Sequence, residues 1–120
     1  MKRTLILISL IIITGCSNQT EIKTGKITCE QKNILVEEKN AVIIDVRTKD
    51  EYKDSHMKDA INIPYNQIKK QIAKEENINK ETPIIVYCKS GARSNKAYNT
   101  LIEQGYKNVY DLGALSKCNR

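Results

Sequence analysis

Short β-branched runs alternate along this chain with stretches whose apolar residues recur every three or four positions. The runs at 41–46, 60–63 and 84–88 are rich in Ile and Val, and with 109–112, Val-Tyr-Asp-Leu, they are too short for stable helices and read as strands. A further strand is expected to end near Ile27. Helix signals fall between the runs. Thr28 is followed three residues later by Gln31, and Thr48 by Glu51. Each pair is a capping box, in which the hydroxyl and the longer side chain each accept one orphan amide. The first opens a helix to about residue 38, the second a short helix. Pro64 stops the 60–63 strand. Ile68 and Ile72 lie one turn apart and predict a third helix over 66–76. Residues 92–104 form a fourth helix, with Gly105 just past its end. Strands alternating with helices predict a parallel sheet covered on both faces.

The candidate chemistry sits at 84–94. Ile84-Ile85-Val86-Tyr87 is a buried-strand pattern ending at Cys88, and Lys89, Ser90, Gly91, Ala92, Arg93 and Ser94 lead into a helix. A thiol at a strand-to-helix turn meets inward-facing amides and a helix N-terminus, and both favour an anion. Such surroundings commonly lower a free thiol's pKa from about 8.5. A lone cysteine before a loop is more often structural. Gly91, Arg93 and the helix start, at this spacing, favour a nucleophile.

At this loop the sequence resembles the rhodanese (sulfurtransferase) family. The family loop has the form C-x-x-G-x-R, which Cys88, Gly91 and Arg93 fit. Asp45-Val46-Arg47 resembles the family's D-V-R strand end, and Glu51-Tyr52 follows in place. Residues 55–64 resemble G-H-I-x-G-A-x-N-I-P, and residues 105–113 resemble the final strand. Ser55, Asp59 and Ala114 replace glycines, and Cys118 stands where many members carry tryptophan. None of these departures is expected to touch the cysteine loop. The resemblance covers 26–120 and implies one α/β domain with a five-stranded parallel sheet, order 1-5-4-2-3. In that order the second and fourth strands are neighbours whose crossovers leave toward opposite edges. The crevice at such a switch point is a ligand site, flanked here by the cysteine loop and the 45–48 turn.

The resemblance implies transfer of sulfane sulfur. Cys88 would attack the outer sulfur of a small anionic donor, thiosulfate or a persulfide, and pass it from a Cys88 persulfide to a thiol or cyanide-like acceptor. The amides of 89–94 would hold the thiolate and the persulfide. Arg93 supplies a fixed cationic fork and Lys89 a mobile charge. Ser90 and Ser94 add hydroxyls, and Ala92 completes the substrate loop. Asp45 and Arg47 are supporting residues, with Arg47 expected to pair with Glu51. His56, the one histidine, precedes a strand on the far side of the second strand and is not assigned as a base. The tyrosines are assigned no chemistry. No cofactor is implied. The cysteine spacings fit no compact zinc pattern, so no metal is expected. One alternative is a membrane-tethered module that senses or binds persulfides. Another is a phosphatase or arsenate reductase, but those loops read C-x-x-x-x-x-R and place Arg one position later than here.

Residues 1–15 form a separate leader. Lys2 and Arg3 precede an apolar stretch from Leu5 to Ile13, too short to span a bilayer comfortably. Ile13-Thr14-Gly15-Cys16 resembles a bacterial lipobox. By that resemblance Cys16 becomes a lipidated first residue, carrying acyl chains such as palmitate. The protein is then exported and anchored to the outer face of the cell membrane, or to a periplasmic membrane surface. Residues 16–25 are a polar tether. The net charge of +6 is scattered among acids. Without a basic stripe interleaved with aromatics, nucleic-acid binding is not expected. A monomer is expected. Cys29 and Cys118 follow the ends of the first and fifth strands, which the family order makes neighbours. A disulfide between them is expected in an exported domain, the alternatives being two unpaired thiols or Cys118 as a resolving thiol for Cys88.

Overall fold

The computed structural model describes residues 11–12, 15 and 20–118. Most of the 1–15 leader, together with Cys16 and residues 119–120, lies outside the described residues.

Both capping boxes form. The Thr28 hydroxyl accepts from Gln31 N, and Gln31 Oε1 accepts from Thr28 N, at the head of α1 (Cys29–Lys39). Thr48 and Glu51 do the same for α2 (Lys49–Asp54). Asn40 ends α1 in the left-handed region, φ 53°, a conformation asparagine tolerates. The strands are β1 (Gly25–Lys26), β2 (Val42–Asp45), β3 (Ile61–Asn62), β4 (Ile84–Cys88) and β5 (Val109–Ala114). They form one sheet in the order β1-β5-β4-β2-β3, each neighbouring pair parallel.

β4 lies at the centre, and all five of its residues are fully buried. Its side chains alternate between two helical layers, as the pleat requires. Ile84, Val86 and Cys88 pack with Ile68, Ala97 and Leu101, on the side of α3 (Ile68–Gln71) and α4 (Ala92–Glu103). Ile85 and Tyr87 pack with Leu35 of α1, Ile27 and Leu112. The helix predicted over 66–76 is shorter. It comprises α3 and a 3-10 turn over Ile72–Lys74. Ile68 and Ile72 are its buried residues. Past Ile72 no apolar face remains to be buried, and the last turn tightens.

β5 runs two residues beyond its predicted end. The β4–β5 register shifts between Val86 and Tyr87, so that Val86 faces Asp111 while Tyr87 faces Gly113. Gly113 sits at φ 80°, a conformation suited to a bulge. The bulge lets the ladder continue, and Ala114 becomes the partner of Cys88.

Candidate active site

Cys88 ends β4, and the chain leaves it toward α4 while β2 leads the other way to β3. Gly91 turns the chain at φ 104°, and α4 begins without a side-chain cap. Its opening amides therefore need another acceptor, and the sulfur serves. Gly91 N donates to Cys88 Sγ at 3.0 Å and Ser94 N donates at 3.3 Å. The Ser94 hydroxyl donates to Gly91 O at 3.0 Å. Rotation of the hydroxyl turns its single proton from Gly91 O to the sulfur instead, so the two bonds alternate. Burial raises the thiol's pKa. The Ser94 hydroxyl and the amides of Ser94, Gly91 and Ser90 oppose burial and prevail, leaving the pKa below that of an ordinary thiol. Lys89, Ser90 and Ala92 are exposed around the loop, and Cys88 itself is covered.

The arginines are partnered differently from the expectation. Arg93 binds both oxygens of Glu51, at 2.6 and 3.0 Å, through Nη1 and Nη2. This bidentate pair ties α4 to α2 beside the cysteine loop. It holds Glu51 at about 2, first through the Arg93 hydrogen bonds, against burial, with the Thr48 amide adding to it. Glu51 in turn raises Arg93, and the Cys88 thiolate raises it further. The expected Arg47–Glu51 pair is absent. Arg47 turns inward and holds the fully buried Asp45 carboxylate, with Nη2 to Oδ2 at 2.7 Å and Nε to both oxygens at 3.0 Å. A desolvated carboxylate needs a cation close by, and Arg47 is two residues away in sequence. Its Nη2 also donates to Ser55 O at 2.6 Å.

Two further residues complete this support. Tyr87 Oη donates to Asp45 Oδ2 at 2.8 Å and accepts from Met57 N at 3.0 Å. Burial raises its pKa. Asn62 Nδ2 donates to the carbonyls of Asp45 and Arg47 at 2.9 and 3.0 Å, fixing the turn after β2. Sequence reasoning assigned neither role. A tyrosine inside an Ile/Val run is a weak signal for Tyr87, because its hydroxyl, if buried, must find a partner. His56 is exposed, stacks on Tyr52 at 3.7 Å and bonds Tyr52 O through Nδ1.

Cys29 and Cys118 are disulfide-bonded, with Cα atoms 5.4 Å apart, and Cys88 is the free thiol among the described residues. The Ala114 departure does reach the cysteine loop, because the bulge makes Ala114 the sheet partner of Cys88. Ala114, Ser90 and Gly91 share the wall of a cavity of about 260 Å³ at the same end of the sheet. A larger cavity of about 670 Å³ lies at the other end, beside Pro83 and Asn108, which precede β4 and β5. No cysteine lines it. Among the described residues no cluster of three or more metal-ligating side chains occurs.

Comparison with known proteins agrees with this geometry. The thiosulfate sulfurtransferase GlpE of Coxiella burnetii is 36% identical over 78 residues, 65% of this chain and 70% of the relative. The tRNA uridine(34) hydroxylase of Buchnera aphidicola is 35% identical over 89 residues, which cover 72% of this chain but 28% of that protein. Among solved structures, a rhodanese with anions from E. coli matches with a TM-score of 0.60 at 36% identity, covering 64% of this chain and 89% of that one. The human single-domain sulfurtransferase TSTD1 shares the fold, with a TM-score of 0.69 at 20% identity, over 77% of this chain and 92% of that one. The model of the rhodanese-like domain matches residues 29–116, from the first residue of α1 to beyond β5, and the chain belongs to that family.

Proposed function

We propose that this protein is a sulfurtransferase that carries sulfane sulfur as a Cys88 persulfide. The observation that carries the reading is the sulfur's environment: two amides donate to it, and the Ser94 hydroxyl together with the loop amides outweighs burial. The same donors favour a thiolate before the reaction and an anionic persulfide after it. The thiolate attacks the outer sulfur of thiosulfate or a persulfide, and the donor leaves with the bonding pair. An acceptor thiolate or cyanide then removes the terminal sulfur and returns Cys88 to its starting state. The name of the Coxiella relative supports thiosulfate as donor.

The same proposal places the protein outside the cytoplasm, tethered by a lipid on Cys16. The lipobox-like Ile13-Thr14-Gly15-Cys16 supports it, and so does the Cys29–Cys118 bridge, a bond that persists in oxidising compartments. Intact mass after exposure to thiosulfate tests the chemistry. A gain of about 32 Da is expected on the native protein and none on Cys88→Ser, since one sulfur is held covalently. A gain retained in Cys88→Ser would overturn the assignment. For the anchor, Cys16→Ala should block lipidation and the processing that depends on it, and membrane partition retained in that variant once its leader is shown to be cleaved would refute it.

A further inference from the structure

Resting on the sulfurtransferase reading, we infer that the cavity beside the cysteine loop is a subsite for a zwitterionic thiol acceptor, an α-amino acid with a short thiol side chain. Asp111 carries the argument. It is 3% exposed and lines this cavity of about 260 Å³ with Lys26, Ser90, Asn95 and Lys117. Its Oδ1 accepts from Gly113 N at 2.9 Å. Its Oδ2 has no hydrogen-bond partner among the described residues, and no described cation forms a salt bridge with it. Yet no sealed side-chain oxygen is unsatisfied among them. Oδ2 is therefore open to the cavity. A carboxylate this desolvated has use for a cation that arrives from outside.

The lysines supply the opposite half of the recognition. Lys26 is the register partner of Asp111 across β1 and β5. Lys117 lies against β5 at Gly113: a Cβ there would come within 3.3 Å of Lys117 Nζ. The adjacent Cys118 is bonded to Cys29, which anchors the turn bearing Lys117. Two lysines and one aspartate thus line one cavity. The complementary ligand presents one ammonium to Asp111 and a carboxylate to the lysines, and its second negative charge is a thiolate. Cysteine is the smallest such molecule. The cavity and the sulfur cradle share Gly91, whose amide lies 3.0 Å from Cys88 Sγ. In the transfer step the acceptor thiol loses its proton to solvent, and its sulfur attacks the terminal sulfur of the Cys88 persulfide. A new S–S bond forms, the Cys88 S–S bond breaks, and its electron pair returns to Cys88 as thiolate. No external oxidant or reductant takes part.

The test is single-turnover discharge of the persulfide by L-cysteine, 3-mercaptopropionate, cysteamine and 2-mercaptoethanol, with mass confirming an intact Cys29–Cys118 bridge. Cysteine should half-saturate discharge at the lowest concentration. Asp111→Asn keeps the oxygen that accepts from Gly113 and removes the charge. It should cut the preference for cysteine over 3-mercaptopropionate roughly tenfold, the scale of one charge-assisted contact. Lys117→Ala should cut the preference for 3-mercaptopropionate over 2-mercaptoethanol similarly. Equal half-saturation by the four thiols, or preferences unchanged in both variants, overturns the subsite. Binding of S-methyl-L-cysteine to sulfur-free protein, followed by amide shifts, separates the two readings. Asp111-dependent binding with no persulfide on Cys88 would sink the sulfur chemistry and leave the subsite standing. Persulfide formation without S-methyl-L-cysteine binding would do the reverse.

Discussion

Replacing the bridge by Cys29→Ser with Cys118→Ala should cost this domain much of its stability. The bond joins residues 89 apart, from the first turn of α1 to the turn after β5. β1 has only two residues and is held to the sheet by β5 alone. The bridge thus closes nearly the whole domain into one loop. In the chain-entropy model a loop of this length stabilises by about 4.6 kcal/mol at 25 °C through the unfolded state. That is a large part of the roughly 5–15 kcal/mol a domain possesses. For a domain of this size each kcal/mol moves Tm by several degrees, so a fall on the order of 20 °C is expected. The assay is paired thermal and urea unfolding of the native and doubly substituted proteins, with Cys88→Ser in both backgrounds to prevent disulfide exchange. The bridged unfolded chain is more compact and exposes less surface, so the urea m-value should rise when the bridge is removed. A Tm within about 5 °C of the native value, with an unchanged m, would refute the entropic reasoning.

The other predictions concern the site. Glu51 has its folded pKa lowered to about 2 from an ordinary 4.5. Its contribution to stability is complete above 4.5 and is lost as pH falls through about 2. Glu51→Gln should flatten the urea midpoint across that window, and an undiminished slope would show that the Arg93 pair does not carry it. Ser94→Ala removes the hydroxyl that helps hold the thiolate. Thiolate absorbance at the ultraviolet edge should then titrate at higher pH, and an unmoved midpoint would assign the shift to the amides alone. Asp45→Ala leaves Arg47 buried without its carboxylate, a loss of about 3–5 kcal/mol. A urea-derived loss below 1 kcal/mol, on the scale of a surface pair, would contradict the buried network.

Local chemistry was legible in the sequence. Thr28 with Gln31 and Thr48 with Glu51 announced two helix starts because a capping box closes within three residues. The β4 run, Cys88 and the left-handed Gly91 marked the sulfur cradle because its donors lie within six residues of the thiol. The sheet order followed from family resemblance joined to strand–helix alternation, and the structure has it. The choice of partners was decided by the tertiary structure. Arg93 meets Glu51 from 42 residues away, and Arg47 turns to Asp45 because the sheet buries that carboxylate completely. The β5 bulge, which depends on how β5 pairs with β4, brought Ala114 beside Cys88, and Ala114 shares the wall of one cavity with Asp111. The physical reason is one of range. Capping and backbone donation act over a turn of chain, whereas a charge takes its partner from whatever the packing of distant elements sets beside it, and spacing along the chain does not record that.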